Sequence, residues 1–250
     1  MGVLDQDGFE CRFVWGPAGA ALAAERGDIV VIVDAFSFSS AVAVAVGRAA
    51  EVLPAASDRA AERDAQGIPD AVVLRGRRDP TPEGWSLSPL SLIRLPPGKR
   101  LIVSTLNGAR CCGRAEGACA LFVGALVNAA AVAAAAVDEH RRLRRPVSVV
   151  ACGERWPQGG ALRPSLEDEL AAGAIIAAMG LRSSPEAAAA AGAFGCAGAR
   201  LGEALWECGS GRELRQKGFA ADVRLMSGVN TWPAVPVRQF DGWIRALPAV

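Results

Sequence analysis

The amino-acid sequence predicts an α/β protein with a layered, mostly parallel sheet and helices on both faces. Short apolar runs rich in β-branched residues recur along the chain, and alanine-rich segments separate them. Strands that are apolar along their whole length are typical of parallel sheets buried on both faces. With 250 residues, we expect a single domain over 1–250, or two closely packed lobes with a less regular C-terminal part from about residue 192.

The first half of the chain alternates predicted strands and helices. Runs of β-branched residues mark the strands, and alanine-rich or polar segments mark the helices. In chain order the elements are a strand at Ile29–Val33, a helix ending near Arg48, a polar helix over 57–66, strands at Ala71–Leu74 and 101–105, and a helix after Gly108. Residues 75–99 contain five prolines and interrupt the alternation. A loop of this length is either a surface excursion or a lid near a site.

The second half begins with a stretch, 117–137, that is apolar and long enough to cross a membrane. It divides into a predicted strand and a predicted alanine-rich helix, which explains its apolarity by burial inside a protein. We therefore expect no membrane association. The elements from there on are a strand at Ala120–Gly124, a helix over 128–140, a strand over 146–151, a helix from Ser165, a helix over 197–206, a polar link over 209–218 and strands over 223–226 and 235–237.

Composition excludes several classes of function. The 27 Lys and Arg residues against 26 Asp and Glu leave a net charge of +1, so nothing favours a nucleic-acid partner. A single histidine, His140, excludes multi-histidine zinc sites. Seven cysteines, an odd number without a CxxC pair, indicate a reducing compartment. The N-terminus shows no basic and apolar signal, and we predict a cytoplasmic protein.

Polar residues follow the ends of the predicted strands. In open α/β sheets, ligands bind beyond the carboxyl ends of the strands, where backbone N–H groups are exposed. Hydroxyls, amides and carboxylates converging there suit a divalent cation and a phosphate, since Mg²⁺ takes oxygen ligands. The residues concerned are Asp34, Ser37, Ser39 and Ser40; Asn107 and Gly108; Asn128; Glu154 and Arg155; and Arg163, Ser165, Glu167 and Asp168.

Structural roles are open for most of these residues. Ser39 or Ser40 can cap the second helix, and Ser165 with Asp168 three residues later fits a variant capping box. Glu167 and Asp168 are then ordinary first-turn acids, and Asn107-Gly108 is then a turn. Asp34 differs, because a carboxylate that ends an apolar strand is partly buried and needs a cation or a donor. The sequence favours a functional role for Asp34.

Five ordered blocks of sequence resemble one known family. They are Val33-Asp-Ala-Phe-Ser-Phe-Ser-Ser40, Ser104-Thr-Leu-Asn-Gly-Ala-Arg110, Gly124-Ala-Leu-Val-Asn-Ala129, Ala151-Cys-Gly153 and Ser165-Leu-Glu-Asp-Glu-Leu-Ala-Ala-Gly173. Their order and spacing resemble those of the 2-phosphosulfolactate phosphatase (ComB-like) family over about 29–176, and more weakly as far as Asp222-Val223. The resemblance implies a Mg²⁺-dependent α/β enzyme that hydrolyses the phosphate monoester of a small sulfonated or carboxylated hydroxy acid.

The resemblance also implies roles for particular residues. Asp34, Glu167 and Asp168 match its acidic positions, and are expected to hold Mg²⁺, directly or through water, and to be catalytic. Asn107, Gly108 and Asn128 match motifs that line the pocket and donate to phosphate or carboxylate oxygens. Two routes stay open, attack by a metal-activated water and attack by Asp34 itself. The absence of a D-x-D-x-T motif favours water.

One position departs from the family pattern. Ser37 stands where the family's first motif carries an arginine, and a hydroxyl cannot replace the bidentate contacts of a guanidinium. Arg110, Arg155 and Arg163 are the candidates to compensate, and with Ser37, Ser39 and Ser40 they complete the predicted substrate-binding set. Two hypotheses remain: a phosphatase with an altered substrate preference, or a non-catalytic relative that binds a small anion. We further predict a homodimer, with tryptophans such as Trp206, Trp232 and Trp243 as anchors.

Overall fold

A computed structural model describes residues 5–158 and 160–247 of the chain. The strands are β1 (Cys11–Trp15), β2 (Ile29–Val33), β3 (Glu51–Ala55), β4 (Ala71–Leu74), β5 (Arg100–Ser104), β6 (Ala120–Gly124), β7 (Val147–Ala151), β8 (Glu154–Arg155), β9 (Leu162–Arg163), β10 (Pro236–Arg238) and β11 (Ile244–Ala246). The α-helices are α1 (Gly16–Glu25), α2 (Phe38–Gly47), α3 (Asp58–Gly67), α4 (Pro89–Leu92), α5 (Gly108–Arg114), α6 (Ala129–Leu143), α7 (Leu166–Met179), α8 (Pro185–Ala197), α9 (Leu201–Glu207), α10 (Gly209–Gln216) and α11 (Ala220–Met226).

The main sheet has the strand order β1-β7-β2-β6-β10-β11-β3-β5-β4 within the described residues. The sheet contains two groups of strands, and neighbouring strands within each group are parallel. The groups are β1-β7-β2-β6 and β3-β5-β4. The antiparallel hairpin β10–β11 joins them, through single residue pairs at Val237–Phe122 and Ile244–Val52. The predicted mostly parallel α/β sheet is confirmed.

Helices cover both faces of the sheet, as predicted. The side chains of β2 alternate between two cores: Ile29, Val31 and Val33 pack with α6, α7 and α8 on one face, whereas Val30 and Ile32 pack with α1, α2 and α5 on the other. All five residues of β2 are fully buried, and the strand pairs with β6 and β7 on its two sides. A strand enclosed in this way needs an apolar sequence along its whole length. Because the end of β2 is buried, the segment that follows it also begins inside the protein.

Two predictions in the C-terminal part are wrong. Residues 223–226 lie in helix α11 instead of a strand, and their buried members Val223 and Met226 are three residues apart, which is the spacing of one helix face. The predicted polar link over 209–218 is mostly helix α10. A short apolar run does not distinguish a strand from a buried helix by periodicity alone. Strand β10 confirms the prediction at 235–237, whereas β1, β3, β8, β9 and β11 were not predicted.

The apolar stretch 117–137 divides as expected into strand β6 and the first part of helix α6. No helix in the described part of the chain is long and apolar enough to span a membrane. The proline-rich stretch 75–99 is largely irregular and contains the single-turn helix α4, with Leu92 and Leu95 buried against α2 and β3. Ser86 and Leu87 are buried as well, so much of the stretch is attached to the core.

Candidate active site

Asp34 directly follows strand β2 and is 4% exposed. Its Oδ2 accepts a hydrogen bond from the backbone N–H of Gly108 at 2.9 Å, and its own N–H donates to the Ser39 Oγ at 2.9 Å. A Cβ atom at Gly108 would lie 2.5 Å from the Phe38 side chain. Only glycine lets the start of α5 approach this closely, which gives Asn107-Gly108 a role beyond that of an ordinary turn.

The electrostatic environment of Asp34 opposes its ionisation. Burial, together with the negative charge of Glu154, raises the pKa of Asp34 to about 7, while the Gly108 hydrogen bond and the positive charge of Arg77 act in the opposite direction. Within residues 5–158 and 160–247, no ion pair within 4 Å involves Asp34. The prediction that this carboxylate is buried is confirmed, and near neutral pH it can hold or release a proton.

Asp168 connects three segments of chain near Asp34. Its Oδ1 accepts from the Ala35 N–H at 2.7 Å, and its Oδ2 accepts from the Gly153 N–H at 2.8 Å and from the Ser165 Oγ at 2.9 Å. Burial, then the charges of Asp34 and Glu167, raise the pKa of Asp168. Ser165 is at the N-cap of α7, but its side chain does not cap the helix backbone. Asp168 therefore holds the loops after β2 and β7 together, and the capping-box alternative is wrong.

Two further carboxylates share this environment. Glu167 is 2% exposed, and its Oε2 is 3.4 Å from the Cys208 Sγ. Glu154, on the short strand β8, accepts from the Asn107 Nδ2 at 3.0 Å. Burial raises the pKa of Glu154, the Asn107 hydrogen bond lowers it, and the charge of Glu167 raises it again. Asp34, Glu154, Glu167 and Asp168 thus form one cluster of like charges, which we call the carboxylate cluster.

The serines that follow Asp34 shape the turn into α2. The Ser39 Oγ donates to the Ile32 carbonyl at 3.2 Å, and the Ser40 Oγ donates to the Ala35 carbonyl at 2.6 Å. Neither caps the helix, because the N-cap residue is Ser37, which makes no side-chain capping bond. The predicted capping by Ser39 or Ser40 is therefore wrong. Ser39 and Ser40 stabilise the turn, and the half-buried Ser37 is the serine that the turn leaves nearest to solvent.

Asn128 does not join the carboxylate cluster. It is fully buried; its Oδ1 accepts from the Ala125 N–H at 2.8 Å, and its Nδ2 donates to the carbonyls of Val123 and Ala234 at 3.3 and 3.0 Å. These bonds use both amide hydrogens. Asn128 therefore connects the end of β6 to the segment before β10, and its predicted donation to a substrate would require breaking one of them.

The three predicted compensating arginines have different surroundings. Arg110 is exposed on α5. The Nη1 of Arg155 donates to the Gly160 carbonyl at 2.9 Å, within the turn that joins β8 and β9. The guanidinium of Arg163, on β9, lies over the Trp156 ring at 5.8 Å and lowers the pKa of Glu154 by its charge. Arg163 therefore has an electrostatic effect on the carboxylate cluster.

Sequence reasoning did not single out Arg77, whose guanidinium is close to the same turn. Its Nη2 donates to the Phe36 carbonyl at 2.6 Å, and its Nε donates to the Asp222 Oδ2 at 2.8 Å. The signal that could have found it is its position at the start of the proline-rich stretch, in the run Gly76-Arg77-Arg78. Glu154 was noted at the end of a strand, but was not assigned a catalytic or metal-binding role.

Buried thiols lie beneath the site. Burial raises the pKa of Cys112, and burial together with the neighbouring Cys111 raises the pKa of Cys152; the charge of Asp34 acts on both in the same direction. A thiol in such surroundings stays protonated at neutral pH and is a poor nucleophile. These cysteines act as small apolar residues, which leaves the carboxylates as the candidate reactive groups.

The donor chemistry of the cluster fits Mg²⁺, since carboxylate oxygens are its preferred protein ligands. The described residues contain no group of three or more His, Cys, Asp or Glu side chains arranged to hold a metal ion. Mg²⁺ commonly takes only one or two carboxylates and completes its coordination with water and substrate phosphate. The mutual repulsion of these carboxylates is what a bound cation would relieve, so the residues present suit a two-carboxylate site.

Known proteins share sequence with this chain over most of its length. The family model described as 2-phosphosulpholactate phosphatase matches residues 18–240. A protein of Gloeobacter violaceus named "Probable 2-phosphosulfolactate phosphatase" is 32% identical over 215 residues, which cover 84% of this chain and 87% of the relative. Proteins with the same name from Parasynechococcus marenigrum and Synechococcus sp. (strain WH7803) are 30% and 31% identical, covering 88% and 89% of this chain and 93% and 92% of theirs. The chain belongs to the 2-phosphosulfolactate phosphatase family.

Proposed function

We propose that this protein is a phosphatase that hydrolyses the phosphate monoester of a small anionic hydroxy acid, such as 2-phosphosulfolactate, with Mg²⁺ as its cofactor. Membership of the family supports the phosphatase reaction. The observation that carries the assignment to this site is Asp34, a buried carboxylate at the end of β2 with a pKa of about 7 and neighbouring acids. Titratable groups with pKa values near the working pH are typical of active sites.

We propose that Mg²⁺ is held by Asp34 and by one member of the acidic pair Glu167 and Asp168, directly or through water. Glu167 is the first candidate, because both oxygens of Asp168 already accept hydrogen bonds. When bound, Mg²⁺ would neutralise phosphoryl charge and lower the pKa of an attacking water. Asp168 also keeps the loops after β2 and β7 in place through its three hydrogen bonds. We propose that Glu154, whose Oε2 accepts a hydrogen bond from Asn107, exchanges a proton with water or with the leaving group.

We favour water over Asp34 as the nucleophile. Asp34 is buried, and its Oδ2 already accepts the Gly108 N–H, so attack on phosphorus by this oxygen would break that hydrogen bond. A rapid acid quench with ³²P-labelled substrate tests the route. We expect no label on the wild-type protein. Label that appears on the wild-type protein but not on an Asp34→Asn variant would instead establish an aspartyl-phosphate.

The assay that tests the function measures phosphate released from 2-phosphosulfolactate and from small phosphorylated hydroxy carboxylic acids, with Mg²⁺ and with EDTA. We expect activity that EDTA removes and added Mg²⁺ restores. Activity that is unchanged by EDTA would contradict the metal requirement. Binding of an ester without its hydrolysis would instead support the second hypothesis, an anion-binding relative, which the departure at Ser37 favours.

The ligand assignment has its own test, a calorimetric Mg²⁺ titration of Glu167→Gln. A matched control is Glu169→Gln, since Glu169 lies in the same first turn of α7 but is only partly buried. We expect weaker Mg²⁺ binding by the Glu167 variant and unchanged binding by the Glu169 variant. Equal affinities for all three proteins would remove Glu167 from the ligand set.

A further inference from the structure

Arg77 connects two distant parts of the chain at the candidate site. It lies in the loop after β4, and its side chain is 11% exposed. Its Nε donates to the Asp222 Oδ2 on α11 at 2.8 Å, and its Nη2 donates to the Phe36 carbonyl at 2.6 Å. Phe36 is two residues after Asp34, in the turn that leads into α2. One side chain therefore joins α11 to the turn that carries Asp34.

Hydrogen bonds to both of its oxygens hold Asp222 in place beside Arg77. It is 2% exposed, and its Oδ1 accepts from the Ser88 Oγ at 2.6 Å and from the Leu90 N–H at 3.4 Å, while Oδ2 accepts from Arg77. A buried carboxylate with each oxygen accepting a hydrogen bond has little freedom to move. Asp222 therefore fixes the position of Arg77 and, through Ser88, of the proline-rich stretch as well.

Arg77 also supplies positive charge next to the negative carboxylate cluster. The carboxylate cluster is negative, and the positive charge of Arg77 acts on Asp34 against the effects of burial and of Glu154. A guanidinium remains charged at every working pH. The Nε and Nη2 atoms of Arg77 make the hydrogen bonds given above. Among the hydrogen bonds within the described residues, none involves its Nη1.

We infer that Arg77 is a positioning residue of this site: it holds the turn at 34–37 through the Phe36 carbonyl, and its positive charge assists binding of the phosphate ester. This inference rests on the proposed function for its substrate. A guanidinium in a fixed fork suits both tasks, because it can hold a carbonyl and a carboxylate while still attracting an anion. A lysine in its place would keep the charge but could not make both hydrogen bonds with the same geometry.

The test compares Arg77→Gln, Arg77→Lys and a matched control, Arg75→Gln. Arg75 lies two residues earlier in the same loop, is half exposed and pairs with Glu62 on the surface. For Arg77→Gln we expect KM to rise about tenfold or more and kcat to fall, since charge-assisted hydrogen bonds are strong. For Arg77→Lys we expect KM close to that of the wild type with kcat still reduced. The control should keep both constants.

A purely structural role for Arg77 predicts a different result. Lower melting temperatures for both Arg77 variants, with kcat and KM unchanged below the transition, would overturn the inference. So would equal kinetic losses in the glutamine and lysine variants, because charge would then play no part. If Arg77→Gln does not fold, Arg77→Lys and Asp222→Asn carry the test. Asp222→Asn keeps the guanidinium but weakens its anchor, and is expected to lower kcat more than it raises KM.

The inference can be separated from the proposed function. If the wild-type protein hydrolyses no ester, the proposed function fails. Arg77 is then tested by calorimetric titration with inorganic phosphate in place of a substrate. Phosphate affinity at least about tenfold weaker in Arg77→Gln than in the wild type and in Arg75→Gln would support the inference. Equal affinities, including no measurable binding by all three proteins, would overturn it.

Discussion

Two buried aspartates lie at the two ends of strand β2, and their surroundings differ sharply. Asp28, just before the strand, is 1% exposed and accepts from Arg12 Nη1 at 3.2 and 3.3 Å, from Arg26 Nε at 3.3 Å and from Ser148 Oγ at 2.7 Å. Asp34, just after the strand, is 4% exposed and receives backbone N–H groups, with other carboxylates nearby.

The difference separates a structural carboxylate from a functional one. Burying a charge is costly unless it is paired, and at Asp28 two guanidinium groups and a hydroxyl offset that cost. At Asp34 the cost is not offset by an ion pair within 4 Å among the described residues. Sites that retain such a cost are commonly those where a ligand, metal or proton relieves it.

The largest expected effect is the loss of activity in Asp34→Asn. Because Asp34 is proposed to hold Mg²⁺, phosphate release should fall by about 10²–10⁴-fold, which corresponds to the loss of several kcal/mol of transition-state charge stabilisation. The apo protein should fold normally at pH 8, since the asparagine removes a buried charge. Steady-state kinetics and circular dichroism together check this. A variant with intact activity would place the chemistry elsewhere.

The next effect is the loss of stability in Asp28→Asn. This change leaves Arg12 and Arg26 without their buried counter-charge, which typically costs about 3–5 kcal/mol. We expect kcat to be unchanged at temperatures where the variant remains folded. Urea denaturation measures the free energy of unfolding. A variant that is as stable as the wild type but inactive would show that Asp28 has a functional role instead of a structural one.

The pH dependence of stability is a third test, made in EDTA. The folded pKa of Asp34 is about 7, above its usual value of 3.8. Between these values the folded state binds more protons than the unfolded state, so this group's contribution lowers stability as pH rises from about 4 to about 7, by on the order of 3 kcal/mol. Asp34→Asn should remove this decrease. The variant should therefore match the wild type near pH 4 and exceed it at pH 8; a constant difference would argue against the raised pKa.

The smallest effect concerns the approach of α5 to Asp34. Gly108→Ala would place a Cβ 2.5 Å from the Phe38 side chain, and such overpacking costs about 1–3 kcal/mol. It should also lengthen the hydrogen bond from the Gly108 N–H to Asp34 and reduce activity. Gly113→Ala is the control, since Gly113 lies in the same helix with no atom within 4 Å of its added Cβ. Equal stability of the two variants would show that α5 adapts freely.

Much of the fold could be predicted from the sequence because it depends on local patterns. Ile29–Val33 and the alanine-rich helices show their burial in their composition, and the resemblance of five motifs indicated the family. The strand at 223–226 was predicted wrongly because four residues are too few to separate the two periodicities. Strand β1 was missed because Arg12 interrupts its apolar pattern, and the partner that makes this arginine acceptable, Asp28, is 16 residues away.

The sequence by itself determined the α/β class, the burial of Asp34 and the acidic character of the site, since these follow from residue type and spacing. Only the tertiary structure decided that Asn128 binds backbone groups, that the charge of Glu154 acts on Asp34, and that Arg77 reaches the site. The Arg77–Asp222 contact spans 145 residues. Side chains on irregular loops take their direction from such distant partners, and no local period records them.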